Sequence, residues 1–131
     1  MIKRLLVRIR KNERGAALIE FALVLPILVV LLMGILEFGW WLNGWIVITG
    51  AAREGARAAV VAQDNPRGEA EKAVNEYTQT FYYQPDVNFF EDDESITVYV
   101  NGRLRPLVGF FVRTDIFLEA DSTMRREFTV Y

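Results

Sequence analysis

The chain contains no cysteine and no histidine. Without cysteine there is no disulfide framework, no thiolate metal site and no cysteine nucleophile, and the redox compartment is left open. Without histidine the commonest general base and the commonest zinc ligand are missing, and the Ser-His-Asp arrangement goes with them. Charge is also missing over a long stretch: from Gly15 to Ala52 the only charged side chains are Glu20 and Glu37. An ordinary soluble domain does not concentrate its apolar residues in this way. At 131 residues the chain has room for one domain and hardly two, and only about 80 residues follow Ala52, near the lower limit for a core that is stable by itself.

The net charge of -2 hides an asymmetry. Lys3, Arg4, Arg8, Arg10, Lys11 and Arg14 face a single acid, Glu13, among the first 14 residues, a local balance of +5, so the remainder stands at -7. A basic head can mark a nucleic-acid arm, but here an apolar block begins directly behind it, which is the pattern of a juxtamembrane orientation signal. The positive-inside rule then puts the N-terminus in the cytoplasm and the rest of the chain outside. No nucleic-acid partner is expected.

The block itself runs from Ala16 through Pro26 to Leu36. A helix needs about 20 apolar residues to cross the hydrocarbon core, and this one reaches that length with Glu20 and Glu37 near its ends. The two acids are 17 positions apart, about 25 Å along a helix, so each can lie near one interface. A cleaved secretory signal would be shorter and would end at a small-x-small site, whereas low polarity here persists to about Ala52.

Past Glu37 the character changes. Trp40, Trp41 and Trp45 fall within six positions and fit an interfacial anchor at headgroup depth. Glycines 34, 39, 44, 50 and 55 recur at intervals of five or six, which is not a GxxxG dimerisation pattern; close approach of another element along the helix is the plainer account. Residues 51–62 are rich in alanine, with Glu54 and Arg57 spaced for an i,i+3 pair. One helix over 16–62 would be roughly 70 Å long, at least twice the hydrocarbon thickness, so much of it must extend beyond the bilayer.

Asp64-Asn65-Pro66 breaks this helix and restarts another, with Asp64 or Asn65 as N-cap and Pro66 in the first turn. Ala70, Ala73, Val74, Tyr77 and Phe81 make its apolar face, and it should end before Pro85. The C-terminal third reads as strands. Ile96 to Val100 is followed by Asn101-Gly102, a strong hairpin signal, and then by Arg103-Leu104-Arg105. Ile116, Leu118 and Ala120 alternate with Phe117, Glu119 and Asp121, strand character continues from Ser122 to Tyr131, and Arg125 and Arg126 allow a bulge or strand end.

The residues give no catalytic site, no cofactor and no metal centre. Glu91-Asp92-Asp93-Glu94 is the densest acidic cluster, but it lacks the alternating ligand spacing and central glycine of an EF-hand loop and reads as a solvated loop. Neither a Walker-type glycine loop nor a dinucleotide fingerprint is present. An envelope hydrolase working through Glu91 to Glu94 would need apolar surroundings to raise a carboxyl pKa, and none is in sight. Glu20 is the acid with something to explain, because a carboxylate inside a spanning helix costs about 2.5 to 3.5 kcal/mol near the centre and less near an interface.

The residues around it are Arg14-Gly15-Ala16-Ala17-Leu18-Ile19-Glu20-Phe21. Basic leader, glycine, apolar helix, and a glutamate five residues past the glycine followed by an aromatic: together these resemble the prepilin processing signal. Phe21 to Pro26, Glu37-Phe38-Gly39, Ala51 to Ala58 and the final Ser122 to Glu127 are similar to the TadE-like minor pilins, or pseudopilins, of tight-adherence (Tad/Flp) pili. The likeness is specific over residues 14–62 and looser beyond; the major pilins of this system are much shorter, lack such a C-terminal sheet and usually carry Glu-Tyr where this chain has Glu-Phe.

The resemblance implies a fold and a biology. A prepilin peptidase would cut between Gly15 and Ala16, removing residues 1–15 and leaving a positive amino group on Ala16. Glu20, with Phe21 beside it, would then pair with the terminus of a neighbouring subunit and set axial register. No such role is implied for Glu37, for which placement at the interface is the expectation. The expected architecture is α+β: a long transmembrane helix over 16–62 continuing into a small extracytoplasmic domain, 63–131, with a second helix and a small antiparallel sheet. The implied partners are the peptidase, other major and minor pilins, the assembly platform and the lipid bilayer. The implied location is the bacterial inner membrane, N-terminus cytoplasmic, and afterwards the pilus at the cell surface. The rival reading is an uncleaved single-pass anchor whose outer domain binds an envelope complex.

Overall fold

The computed structural model describes residues 13–79 and 85–126. Most of the basic leader, Phe81 and the C-terminal residues from Glu127 lie outside the described residues. Among the described residues two helices and three strands follow in order: α1, Glu13–Val61; α2, Pro66–Thr78; β1, Asp86–Glu91; β2, Ser95–Leu104; β3, Ile116–Arg125. The architecture is α+β with a candidate transmembrane helix, as the sequence indicates. The chain divides into two compact units between Leu36 and Glu37, within α1.

In the first unit, α1 is the whole of what is described. Its apolar side chains from Leu18 to Leu36 are exposed, Met33 partly so. It is the one helix among the described residues long and apolar enough to cross a membrane. Pro26 sits inside it without ending it. A proline removes one helical hydrogen bond and is tolerated more readily in apolar, membrane-spanning helices than in soluble ones.

In the second unit, the remainder of α1 carries a stripe of small residues. Gly44, Ile48, Ala51, Ala52, Gly55, Ala56 and Ala59 recur at three- and four-residue steps and are all buried. On this stripe lie α2, through Ala70 and Val74, and the inner face of the sheet, through Ile96, Val98, Val100, Leu104, Leu118 and Ala120. A Cβ on Gly44 would meet Leu104 Cδ2 at 2.7 Å, and one on Gly55 would meet Val74 Cγ2 at 2.6 Å. The glycine series therefore marks close approach of the sheet and of α2. Gly39 is different, with open space around it.

α2 begins as the sequence indicates. Asn65 is the N-cap, its Oδ1 accepting from Gly68 N at 3.0 Å, with Pro66 in the first turn. Its buried face is Ala70, Val74 and Thr78, whereas Tyr77 is exposed. Thr78 can be buried because its hydroxyl donates to the Val74 carbonyl one turn back at 2.9 Å.

The sheet has the order β1-β2-β3, antiparallel throughout. Asn101-Gly102 is not a hairpin. Both residues lie inside β2, Asn101 opposite Asp86 and Glu119 and Gly102 opposite Leu118. As the central strand, β2 pairs along its whole length with β3 and over Ile96–Asn101 with β1, and this ladder outweighs a local turn preference. The tight turn falls instead at the acidic run: Asp92 N donates to Ser95 O at 2.9 Å between β1 and β2. The pattern does not single out β1, because Asp86-Val87-Asn88-Phe89-Phe90-Glu91 is short and half polar, with Val87 and Phe89 turned to the core. The alternation over 116–121 holds, with Leu118 and Ala120 buried and Phe117, Glu119 and Asp121 exposed, and β3 ends at Arg125.

Substitution of two glycines in α1 should act with opposite sign. Alanine at Gly39 removes the helix-interior penalty of glycine, about 0.5–1 kcal/mol, and meets no atom. Alanine at Gly55 must displace the buried, β-branched Val74, at a cost of about 1–3 kcal/mol, which exceeds that gain. Thermal melting of the full chain in detergent should show G39A raised and G55A lowered relative to wild type.

Candidate functional site

Two groups of residues carry functional interest, one in each compact unit. In the first, Gly15, Ala16, Glu20 and Phe21 all lie on α1, which begins at Glu13. Ala16, Glu20 and Phe21 are exposed. Ala16 and Glu20 are one helical turn apart and therefore share a face, so a carboxylate stands above the position where cleavage would create an amine. Gly15 is helical, not extended.

In the second unit the prominent group is Glu37. Only 7% of it is exposed. Its carboxylate accepts two backbone N–H groups from the connection between β2 and β3: Leu107 N to Oε1 at 3.2 Å and Val108 N to Oε2 at 2.8 Å. One turn further along α1, Trp40 donates from Nε1 to the Arg105 carbonyl at 3.0 Å. Three hydrogen bonds thus fasten one loop to one turn of the helix, and two of them end on a charged acceptor, the stronger kind. Interfacial placement alone does not describe Glu37: in this fold it is a buried clamp. Of the three tryptophans, Trp40 is engaged with the domain while Trp41 and Trp45 expose their rings.

The acidic run Glu91 to Glu94 serves the turn between β1 and β2. Glu94 pairs with Arg125 at 2.8 Å and Glu91 pairs with Arg126, which joins the turn to the end of β3. Asp92 Oδ1 accepts from Asp93 N at 2.8 Å. Among the described residues no group of three or more acidic side chains is gathered as a metal site. Glu54 and Arg57 approach to 4.0 Å on the exposed side of α1, the pair their spacing indicates.

Residues 15–57 match the family model of the TadE-like proteins, about a third of the chain. Over that segment the chain is similar to the TadE-like proteins. The matched segment runs from the glycine of the processing-type motif to the alanine-rich stripe, so it includes Glu20, Glu37 and the three tryptophans. The TadE-like match suggests a Tad pilus-associated protein and, with it, association with other pilins; the single N-terminal apolar helix supports membrane anchoring. No curated protein and no solved structure matches the chain.

The role of Glu37 was not legible from its neighbours in sequence, since the amides it binds are 70 and 71 positions away. Only its position offered a hint: a carboxylate at the end of an apolar run needs donors wherever it ends up. The clamp is testable by amide hydrogen exchange. Hydrogen bonds to a charged group contribute about 1.5–3 kcal/mol, so Glu37→Ala should speed exchange at Leu107 and Val108 by roughly 10- to 100-fold while leaving Val98 and Val100 protected. Glu37→Gln, which keeps one acceptor oxygen, should fall between.

Proposed function

We propose that the protein is a minor pilin that is processed by a prepilin peptidase and assembled with other pilins to initiate, cap or decorate a Tad/Flp-type pilus used in surface adherence. The observation that carries this reading is the TadE-like segment itself: its N-terminal half is a helix with apolar residues exposed all round and a carboxylate at Glu20, five residues past Gly15. A helix apolar on every side needs an apolar medium on every side. Lipid supplies it before assembly and the helices of neighbouring pilins supply it afterwards.

Glu20 gives the exchange its register. In a medium of low dielectric an unpaired carboxylate is expensive, and a positive amine on Ala16 of an adjacent subunit is the partner that cleavage creates. A subunit inserted one turn out of register would leave both charges unpaired. The domain from 63 onward lies on the outer side of the membrane, and the leader, 1–15, remains on the cytoplasmic side with the peptidase. No catalytic step is assigned to any residue.

One observation favours the alternative, an uncleaved single-pass anchor whose outer domain binds an envelope complex: Gly15 and Ala16 are helical, so a protease would have to unwind the start of α1 to reach the bond between them. Glycine is a poor helix former and lowers the cost of that unwinding, which keeps processing as the better reading.

Intact mass and N-terminal sequencing of the protein from membranes, with and without the peptidase, decide between the two. The processed reading expects a chain beginning at Ala16 that is lost when the peptidase is absent and is blocked by Gly15→Val. A full-length chain under both conditions would establish the plain anchor.

A further inference from the structure

The 11-residue connection between β2 and β3, Arg105–Asp115, exposes Leu107, Val108, Phe110 and Phe111, the two phenylalanines 62% and 52% accessible with their rings edge to face at 5.2 Å. Four large apolar side chains in five positions is unusual for a surface loop, which ordinarily presents polar residues to water. Gly109, at φ 67°, takes the left-handed backbone conformation directly before Phe110 and Phe111. No described residue of the second unit covers them, and yet the loop is not loosely held. Its first residues are fastened by the Glu37 carboxylate and by the Trp40 indole to one turn of α1.

That turn has a defined position in sequence. Glu37 follows directly on Leu36, the last residue of the uncharged run that begins after Glu20, so it marks where α1 leaves the hydrocarbon. The same turn exposes a second aromatic pair, Phe38 and Trp41, with ring centroids 5.7 Å apart. Arg105 and Arg113, both exposed, stand at the two ends of the loop.

We propose that Leu107–Phe111 is a second membrane contact, a loop that enters the headgroup region of the bilayer that α1 crosses, with Arg105 and Arg113 reaching lipid phosphates on either side. The inference rests on the membrane-anchored reading of α1. Aromatic side chains favour the interface because their rings are accommodated at headgroup depth, and flanking arginines add attraction to anionic lipid. The clamp solves the remaining difficulty: a carboxylate at the membrane edge is tolerated when it has two backbone donors, and those donors bring the apolar loop to the same depth. Single-point anchoring leaves an outer domain free to swing about the helix axis; a second contact fixes which face meets the membrane and which is left for assembly.

Because the chain has no cysteine, single-cysteine variants can be labelled at one position each. Full-length F111C, L28C and D93C would each carry an environment-sensitive nitrobenzoxadiazole fluorophore and be reconstituted into phosphatidylcholine and phosphatidylglycerol vesicles with doxyl lipids quenching at shallow or deep positions. Phe111 and Asp93 are exposed in the fold, so neither substitution disturbs its core. The expected result is deep quenching of L28C, shallow quenching of F111C several-fold stronger than that of D93C, and an increase in the F111C signal with the phosphatidylglycerol fraction. Quenching of L28C with F111C behaving like D93C would overturn the loop contact and leave the anchor standing, whether the loop then meets water or another copy of the chain. No quenching of L28C would remove the membrane reading and the loop contact with it.

Discussion

A helix that is apolar and uncovered before Glu37 and built of buried glycine and alanine after it cannot be satisfied by one medium, and most of what the chain does follows from that constraint. Before Glu37, large side chains such as Leu18, Phe21 and Leu32 face outward, and they require lipid or other helices around them. After Glu37, Ala51, Ala52, Ala56 and Ala59 are so small that they are useful only against a surface that comes very close, and the sheet and α2 supply it. The helix is one element with two interiors, the first to be found outside the chain.

Glu37 stands where the two regimes meet. Its burial would be costly without partners, and its two backbone donors convert the cost into a fastening between α1 and the β2–β3 connection. Trp40 adds a third bond to the same loop. A small domain with a core made largely of alanine, valine and a few larger residues has little apolar area to spare, so polar fastenings of this kind carry weight in holding the sheet to the helix. The surface pairs at the far turn, Glu94 with Arg125 and Glu91 with Arg126, are solvent-facing and contribute less.

Much of the fold is legible in the sequence because its signals are local. The apolar run, the break at Asn65-Pro66 and the alternation from Ile116 to Asp121 each depend on neighbours a few residues apart. The misread features are those decided at a distance. Asn101-Gly102 has the chemistry of a turn, but β2 is paired on both sides there, and the fold accepts a buried Asn101 Oδ1 without a partner among the described residues in order to keep the strand intact. Thr78 joins the buried face of α2 because its hydroxyl is satisfied by its own helix, while Tyr77, half exposed, lays its ring against Gly50 of α1. Of the candidate site, Gly15, Ala16, Glu20 and Phe21 were readable as a motif, since a processing signal is linear by nature; the clamp at Glu37 was not, since half of it lies 70 residues away.

The central claim is that the uncovered half of α1 exchanges lipid for the helices of other pilins, with Glu20 fixing the register. The most direct measurement is the distribution of this chain between inner membranes and sheared pili, quantified by mass spectrometry for wild type and Glu20→Ala. The account predicts wild-type protein in both fractions and the variant confined to membranes, because its helix is still apolar enough to reside in lipid but no longer pairs with a neighbour's amine. Wild-type protein found wholly in membranes, in cells whose pili form and shear normally, would contradict it.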